Sequence, residues 1–356
     1  LNMDLLVSRN KEGERMSDVA RGLPQIPVGD FSRAIQVIAY VMSALSTLVI
    51  ALRIYVRLKL SESRKVWGWD DTFAVLGWAP FLPSVAFLII ATYWGLGAHD
   101  TRIPEGWLIY YQIKVKEDMF WSEVQYFAST VLTKLSMAIM IVRLSTTRVY
   151  AYIIWGNMTV LGINMTICMV VLLMSCYPIP ALWNERLGYC RIPNGWMLVS
   201  YAGSVVLAMV DWTCAITPFF LIQGLQMPKR RKISLQVVLS LGIIGSAAGL
   251  VRMGYYHSYD TIKHPNESLY NWGQTVLWSV LEGGLGIITC SLPPLRKIVN
   301  TYYNGSSNGK SSQSRGITVV DGTELRSLEP CKGGIPHRVM MSQEWDRLPD
   351  EQSLPN

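Results

Sequence analysis

The chain has little charge, few cysteines and few histidines, and each shortage removes a class of protein. Charged residues are 16% of its 356, where an ordinary soluble domain carries about 25%. That argues against the two soluble domains which length alone would suggest. The six cysteines are scattered, with no C-x-x-C pair, so neither a disulfide scaffold nor a zinc site is expected. The four histidines match no metal-ligand spacing, and neither a metal nor a cofactor is expected. The net charge of +7 invites a nucleic-acid partner. The basic residues, however, gather at the ends of apolar segments, so no nucleic-acid partner is expected.

What is present is apolar: 50% hydrophobic residues and 13 Trp, with a mean hydropathy of +0.25. The apolar runs are about 20 residues long, enough to cross a hydrocarbon core about 30 Å thick. Seven spans can be drawn: Ile35–Val56, Thr72–Tyr93, Val124–Val142, Ile153–Leu173, Met197–Leu221, Leu235–Tyr255 and Trp272–Leu292. Pro293 and Pro294 are expected to stop the last one. The fold expected is all-α, a seven-transmembrane helix bundle in the lipid bilayer.

Twelve Lys and Arg residues flank the spans on one side, among them Arg57, Lys59, Arg143 and Lys229–Lys232, against six on the other. By the positive-inside rule this puts the N-terminus outside and the C-terminus in the cytosol. Trp67 and Trp69 would mark the inner interface, and Trp94, Trp107, Trp121, Trp196 and Trp272 the outer. Residues 1–32, polar with Pro24 and Pro27, are expected to be a disordered extracellular or lumenal lead-in. The transmembrane domain would occupy 33–298. Residues 299–356, rich in Ser, Gly, Asn and charge, would be a disordered cytosolic tail.

The most informative residues are Lys134, Asp211 and Glu282, each near the middle of a different span. A charge at the bilayer centre costs at least about 2.5–3.5 kcal/mol, so it is kept with a partner or for a purpose. Similar depth allows Lys134 to pair with Asp211 or with Glu282, and Arg252 sits near the outer end of span 6. These residues form either an internal ion-pair network that fixes packing or the polar anchors of a ligand pocket, and the two are compatible. Asp70 and Asp71 at the start of span 2 would cap that helix and could meet Arg53 or Arg57. His99, after Gly95-Leu96-Gly97, would close a pocket mouth.

Cys176 and Cys190, 14 residues apart on the oxidising side, are expected to form a disulfide. Asn266-Glu267-Ser268 is an outer-side glycosylation sequon. The block Lys229, Arg230, Arg231 and Lys232 would contact anionic lipid or a cytosolic signalling partner. Gly245 and Gly249 favour close helix packing in span 6.

Further absences narrow the function. No Lys lies between Tyr270 and Lys297, so no retinal Schiff base forms at the usual place. Span 3 ends Ile141-Val142-Arg143-Leu144 without an acidic-Arg-aromatic triplet, and span 7 lacks Asn-Pro. No Walker motif or internal repeat suggests a pump or carrier.

The motifs that are present have a familiar order. Arg53-x-x-x-Arg57, Gly68-Trp69-Asp70-Asp71, Gly95-x-Gly97-x-His99 and Lys134-Leu135-Ser136 come first. Cys176-x-Pro178-Ile179 with Trp183 and Cys190, and Asp211 with Pro218, follow. Leu225-Gln226-Met227, Arg252, Trp278-x-x-x-Glu282 and Leu292-Pro293 complete the series. Over about residues 33–298 the chain resembles the fungal rhodopsin-like integral membrane family, which includes pathogenicity-type receptor-like proteins and membrane proteins of secondary-metabolite clusters. The resemblance implies seven helices, an outside N-terminus and a fungal source. The cysteine-rich domain that some receptor-like members carry before helix 1 does not precede span 1 in this sequence.

Two functions are expected from this. The first is a receptor-like protein of the plasma membrane or an endomembrane, binding a small ligand among spans 3, 5, 6 and 7 and signalling through its cytosolic loops. The second is a membrane-embedded enzyme or accessory protein of a secondary-metabolite pathway, in which Asp211 or Glu282 would protonate an apolar substrate. Lys134 speaks against the second, because a nearby cation holds a carboxylate ionised.

Overall fold

The computed structural model describes residues 3–59, 67–104, 106–144, 148–192, 195–223, 229–255 and 267–307. Eight α-helices build this part of the chain: α1 (Met3–Arg21), α2 (Asp30–Lys59), α3 (Trp69–Tyr93), α4 (Leu108–Leu144), α5 (Arg148–Met174), α6 (Gly195–Gln223), α7 (Lys229–Tyr255) and α8 (Ser268–Ser307). A two-stranded antiparallel ribbon, β1 (Cys176–Tyr177) and β2 (Tyr189–Cys190), lies between α5 and α6. Five helices, α2, α3, α4, α5 and α8, are long and apolar enough to cross a membrane. The fold is a helical membrane bundle.

The long helices pack in sequence order around a ring. Each touches the next from α2 to α8, α8 closes the ring on α2, and α4 reaches α6 and α8 across the interior. Lipid tails are as apolar as leucine, so such helices are held by close approach and hydrogen bonds more than by the hydrophobic effect. The α3–α4 seam shows both. Ser129 Oγ donates to the Gly77 carbonyl at 2.7 Å. Ser84 and Ser122 donate to each other's carbonyls, both at 3.0 Å. A Cβ at Gly77 would lie 2.6 Å from Thr133 Oγ1 and 2.9 Å from its amide nitrogen. By contrast α5 exposes Val149, Tyr152, Val160, Ile163 and Ile167, the surface expected to meet lipid.

At one end of the bundle, α3 stops at Gly95 and Gly97, whose φ values of +96° and +82° suit glycine. The turn is tied down by Gly97 N–H to the Leu269 carbonyl (2.9 Å) and by Ser32 Oγ to the Leu96 carbonyl (2.8 Å). Cys176 and Cys190 lie opposite each other in the ribbon and are disulfide-bonded, as expected.

Four expectations need correction. Residues 3–21, expected to be disordered, form helix α1. Its own sequence is polar; tertiary contacts hold it. Asn184 Nδ2 donates to the Gly13 carbonyl and to Ser17 Oγ at 2.9 and 3.0 Å, Arg9 donates to the Glu185 carbonyl at 2.7 Å, and Arg186 pairs with Glu12 at 3.0 Å. The irregular segment that follows is anchored by Ile26 N–H to the Tyr93 carbonyl (3.1 Å) and Tyr111 Oη to the Pro24 carbonyl (2.9 Å).

Span 3 begins 16 residues earlier than drawn, at Leu108. Its charged first turns hide an amphipathic helix that buries Tyr111, Ile113, Val115 and Met119, so Lys114 and Lys116 are helical residues. At 1.5 Å per residue α4 is roughly 55 Å long and overhangs a bilayer core.

Pro293 and Pro294 do not end the last helix, which runs on to Ser307. Pro294 supplies no N–H to the Cys290 carbonyl; Arg53 Nη1 donates to that carbonyl instead, at 2.7 Å. Finally, Trp272 is 3% exposed in the core with Lys116 Nζ 5.6 Å from its ring centroid, and is no interface marker.

Gly77→Ala should overpack the α3–α4 seam and cost about 1–3 kcal/mol, seen as a lower thermal midpoint of the purified protein. Gly162→Ala on α5, where an added Cβ meets nothing within 4 Å, should leave the midpoint unchanged or raise it slightly. Equal effects at the two sites would contradict this packing.

Candidate functional site

Helical spacing brings polar groups to one interior face of each of three helices. On α4, Glu123, Tyr126, Thr130 and Lys134 recur every three to four residues. On α6, Ser200, Ser204, Leu207 and Asp211 do so. On α8, Thr275, Ser279 and Glu282 do so. From α7 comes Arg252. Gly245 and Gly249 let α7 approach α8, since a Cβ at Gly249 would sit 3.2 Å from Glu282 Oε1.

The structure resolves the pairing that depth alone left open. Lys134 Nζ pairs with Asp211 Oδ1. Glu282 Oε2 pairs with Arg252 Nη2 at 3.2 Å. Arg252 also donates to Tyr126 Oη (3.0 Å), Ser279 Oγ (3.0 Å) and Ser204 Oγ (3.1 Å), and its guanidinium lies 5.4 Å from the Tyr126 ring centroid. The two pairs are electrostatically linked, because Glu282 also interacts with Asp211 and Lys134. All four predicted charges therefore join one cluster. Asp211, Arg252 and Glu282 are at most 7% exposed.

Sequence reasoning missed Glu123, which sits in the same interior three turns of α4 from Lys134. The signal was available in the spacing Glu123–Tyr126–Thr130–Lys134. Two small cavities flank Tyr126. One, about 30 Å³, is lined by Glu123, Arg252, Ser84, Ser122, Ser279 and apolar side chains including Phe81, Val85 and Met119. The other, about 20 Å³, is lined by Lys134, Glu282, Thr130, Thr133 and the glycines Gly283 and Gly286.

His99 does not join this cluster. It lies half exposed at the Gly97 end, with Nδ1 3.1 Å from Glu267 Oε1 and its ring stacked on Tyr270 at 4.4 Å. It ties the α3 terminus to the start of α8 and lines neither cavity. Asn266, His257 and His264 lie outside the described residues. Lys229–Lys232 forms the first turn of α7. Among the described residues no cluster of three His, Cys, Asp or Glu has metal-site geometry. Cys168, Cys214 and Cys290 are buried and not disulfide-bonded.

At the opposite end a second assembly is larger than the expected helix cap. Arg53, 1% exposed, bonds Asp70 Oδ2 at 2.9 Å and Asp71 Oδ1 at 2.8 Å. Arg57 bonds the same two residues at 3.1 and 2.9 Å. Asp71 Oδ2 also accepts from the Gly68 N–H (3.1 Å), which caps α3. Ser136 Oγ donates to the Asp70 carbonyl at 2.6 Å, and Arg143 Nη1 lies 3.6 Å from Asp70 Oδ1.

Comparison with known proteins agrees with this architecture. The model of the fungal rhodopsin domain matches residues 52–301, which is more than half of the chain. A protein of Emericella nidulans described as a SAT4 family membrane protein is 24% identical over 288 residues, covering 76% of this chain and 67% of the relative. No solved structure matches. The chain belongs to the fungal rhodopsin domain family and is a multi-pass membrane protein.

Arg53→Met should leave Asp70 and Asp71 buried against Arg57 and the more distant Arg143, a loss of about 3–5 kcal/mol for a broken buried pair. We expect the folded peak in fluorescence-detected size-exclusion to be largely lost. Arg53→Lys should rescue poorly, because an ammonium cannot reproduce the fork to two carboxylates and a carbonyl. Arg57→Met, at a position 11% exposed, should cost less. Full tolerance of Arg53→Met would show that this assembly does not hold the end of the bundle.

Proposed function

We propose that this member of the fungal rhodopsin domain family is a receptor-like protein that takes a small ligand into its helix bundle and signals through its cytosolic loops. One observation carries the reading: charges from four helices converge in an interior flanked by cavities. Lys134, Asp211, Arg252 and Glu282 would anchor the ligand by exchanging partners with it. A ligand that takes over one member of an ion pair changes the forces between α4, α6, α7 and α8 together.

In this reading α6 and α7 complete seven spans, and the basic residues near Arg57, Arg143 and Lys229 mark the cytosolic face. The N-terminus and the disulfide ribbon then lie outside or in a lumen, with Asn266 open to glycosylation. Displacement of α6 and α7 would move Lys229, Arg230, Arg231 and Lys232 against anionic lipid or a signalling partner. His99 would brace the outer rim.

A role as an embedded acid of a biosynthetic pathway is the competing reading. Asp211 and Glu282 are both committed to ion pairs, which favours the receptor.

Asp211→Asn keeps the side-chain volume and removes the charge that faces Lys134. The expected result is an altered ligand response with folded protein still made; loss of folded protein would mean that the pair serves packing alone. Receptor and enzyme separate in the native host. Deletion of the gene should change metabolite output without leaving an intermediate that membranes containing the protein convert. Conversion of such an intermediate would overturn the receptor.

A further inference from the structure

The charges of the interior do not balance. Lys134 is matched by Asp211, and Arg252 by Glu282. Glu123 has no ion pair or hydrogen bond among the described residues, although Arg252 is close enough to act on it. Two cations thus face three carboxylates. An excess buried charge is costly, so something positive should accompany Glu123.

The lining of its cavity says of what kind. Ser84 and Ser122 point their hydroxyl protons at each other, at the backbone carbonyl or at the facing hydroxyl, all at 3.0 Å. Ser279 has given its proton to the Thr275 carbonyl at 2.9 Å. These three oxygens therefore keep lone pairs for an occupant of the cavity that Glu123 also lines, although Ser279 Oγ already accepts one bond from Arg252. Arg252, the one cationic donor in the wall, already directs four bonds at Tyr126, Ser279, Ser204 and Glu282. Ser200 lines the cavity as well, and its hydroxyl can turn a proton or a lone pair inward, but an anion would face the Glu123 carboxylate. A hard cation would find oxygen ligands and one negative charge. The space, about 30 Å³, holds two or three water-sized occupants, since a water needs about 10–15 Å³. An organic cation does not fit while the helices stand as they do.

We propose that the cavity walled by α3, α4 and α8, with Ser200 of α6 and Arg252 of α7, binds one small monovalent cation of sodium size, held by Glu123 and the hydroxyl oxygens of Ser84, Ser122 and Ser279. The inference is independent of the receptor reading, because it needs only the closed bundle. Its consequence for a receptor is direct: any ligand that widens this cavity must expel the cation or carry a positive group in its place.

The test uses the full chain in detergent micelles or lipid nanodiscs, with tryptophan fluorescence as the unfolding signal. Sodium chloride replaces choline chloride at constant ionic strength. The thermal midpoint should rise saturably by about 2–4 °C with sodium, the shift expected when a ligand several-fold above its Kd binds only the folded state. Glu123→Gln, which removes the excess charge, should show a flat midpoint across the series. Should that variant fail to fold, Ser122→Ala keeps the charge and removes one ligand oxygen. It should move the sodium concentration of half-effect up several-fold, whatever its own starting midpoint. Equal midpoints in sodium and choline overturn the proposal, and so does a sodium response in Glu123→Gln as large as in the wild type. A flat wild type would mean that Glu123 is neutralised by a proton, with only water beside it.

Discussion

A charge inside a lipid bilayer has to find its opposite within the protein, and this bundle is arranged around that requirement. Polar groups line the middle of α4. They begin at Glu123 and Tyr126, pass through Lys134, and reach Asp70 through Ser136 only two residues further on. Lys134 and Ser136 point to different neighbours: one meets Asp211 on α6, the other the Asp70 carbonyl on α3. The short Lys134-Leu135-Ser136 segment therefore joins two assemblies that the sequence shows as unrelated motifs. Every long helix except α5 contributes a charge or a carbonyl to this line. The α5 helix instead carries the long exposed apolar face. The central place of α4 in the ring follows, because it alone must reach partners on α3, α6, α7 and α8.

The same logic explains how prolines persist inside α8. A proline in a helix interior removes a hydrogen bond and costs about 3 kcal/mol or more when nothing replaces it. Here the carbonyl released by Pro294 is met by Arg53, which already bridges Asp70 and Asp71. One guanidinium fork thus satisfies two carboxylates and a backbone acceptor from a third helix. Lysine has one compact head and no such fork, which is a physical reason for Arg-x-x-x-Arg at this place. The pair at Arg57 lies one turn further on, at the rim, and repeats the grip with partial exposure.

How much of this was legible in the sequence depended on what each residue's signal measured. The central positions of Lys134, Asp211 and Glu282 gave their level along their helices, and the structure brings all three into one cluster. Partner choice needed the rotation of each helix about its axis, which the position of a residue within its span does not give. Arg252, read as lying near a helix end, reaches Glu282 because its side chain is long. Glu123 was overlooked because α4 was started at Val124, one residue too late to include it. Charges in Leu108–Met119 interrupt the apolar run before it, yet they sit on the same helix. The α1 helix was invisible for a related reason: its stability comes from Asn184, Glu185 and Arg186, some 170 residues away. His99 carried a positional signal only, and the structure uses it at the rim.

The ion pairs also say how such an interior is most easily opened. Lys134–Asp211 joins α4 to α6, and Arg252–Glu282 joins α7 to α8. The bonds that cross between these two couples include Arg252 to Tyr126 on α4 and to Ser204 on α6, and Trp212 on α6 to Ser246 on α7. Hydrogen bonds from a charged group to neutral partners are worth about 1.5–3 kcal/mol each, while parting a buried ion pair costs about 3–5 kcal/mol. Separation of α7 and α8 from α4 and α6 therefore breaks the weaker ties and keeps each carboxylate with its cation. The seam that opens runs through Tyr126, along both cavities and past Glu123. Any molecule drawn into the bundle along that route meets Arg252, whose bonds to Tyr126 and Ser204 are among those that have to be replaced.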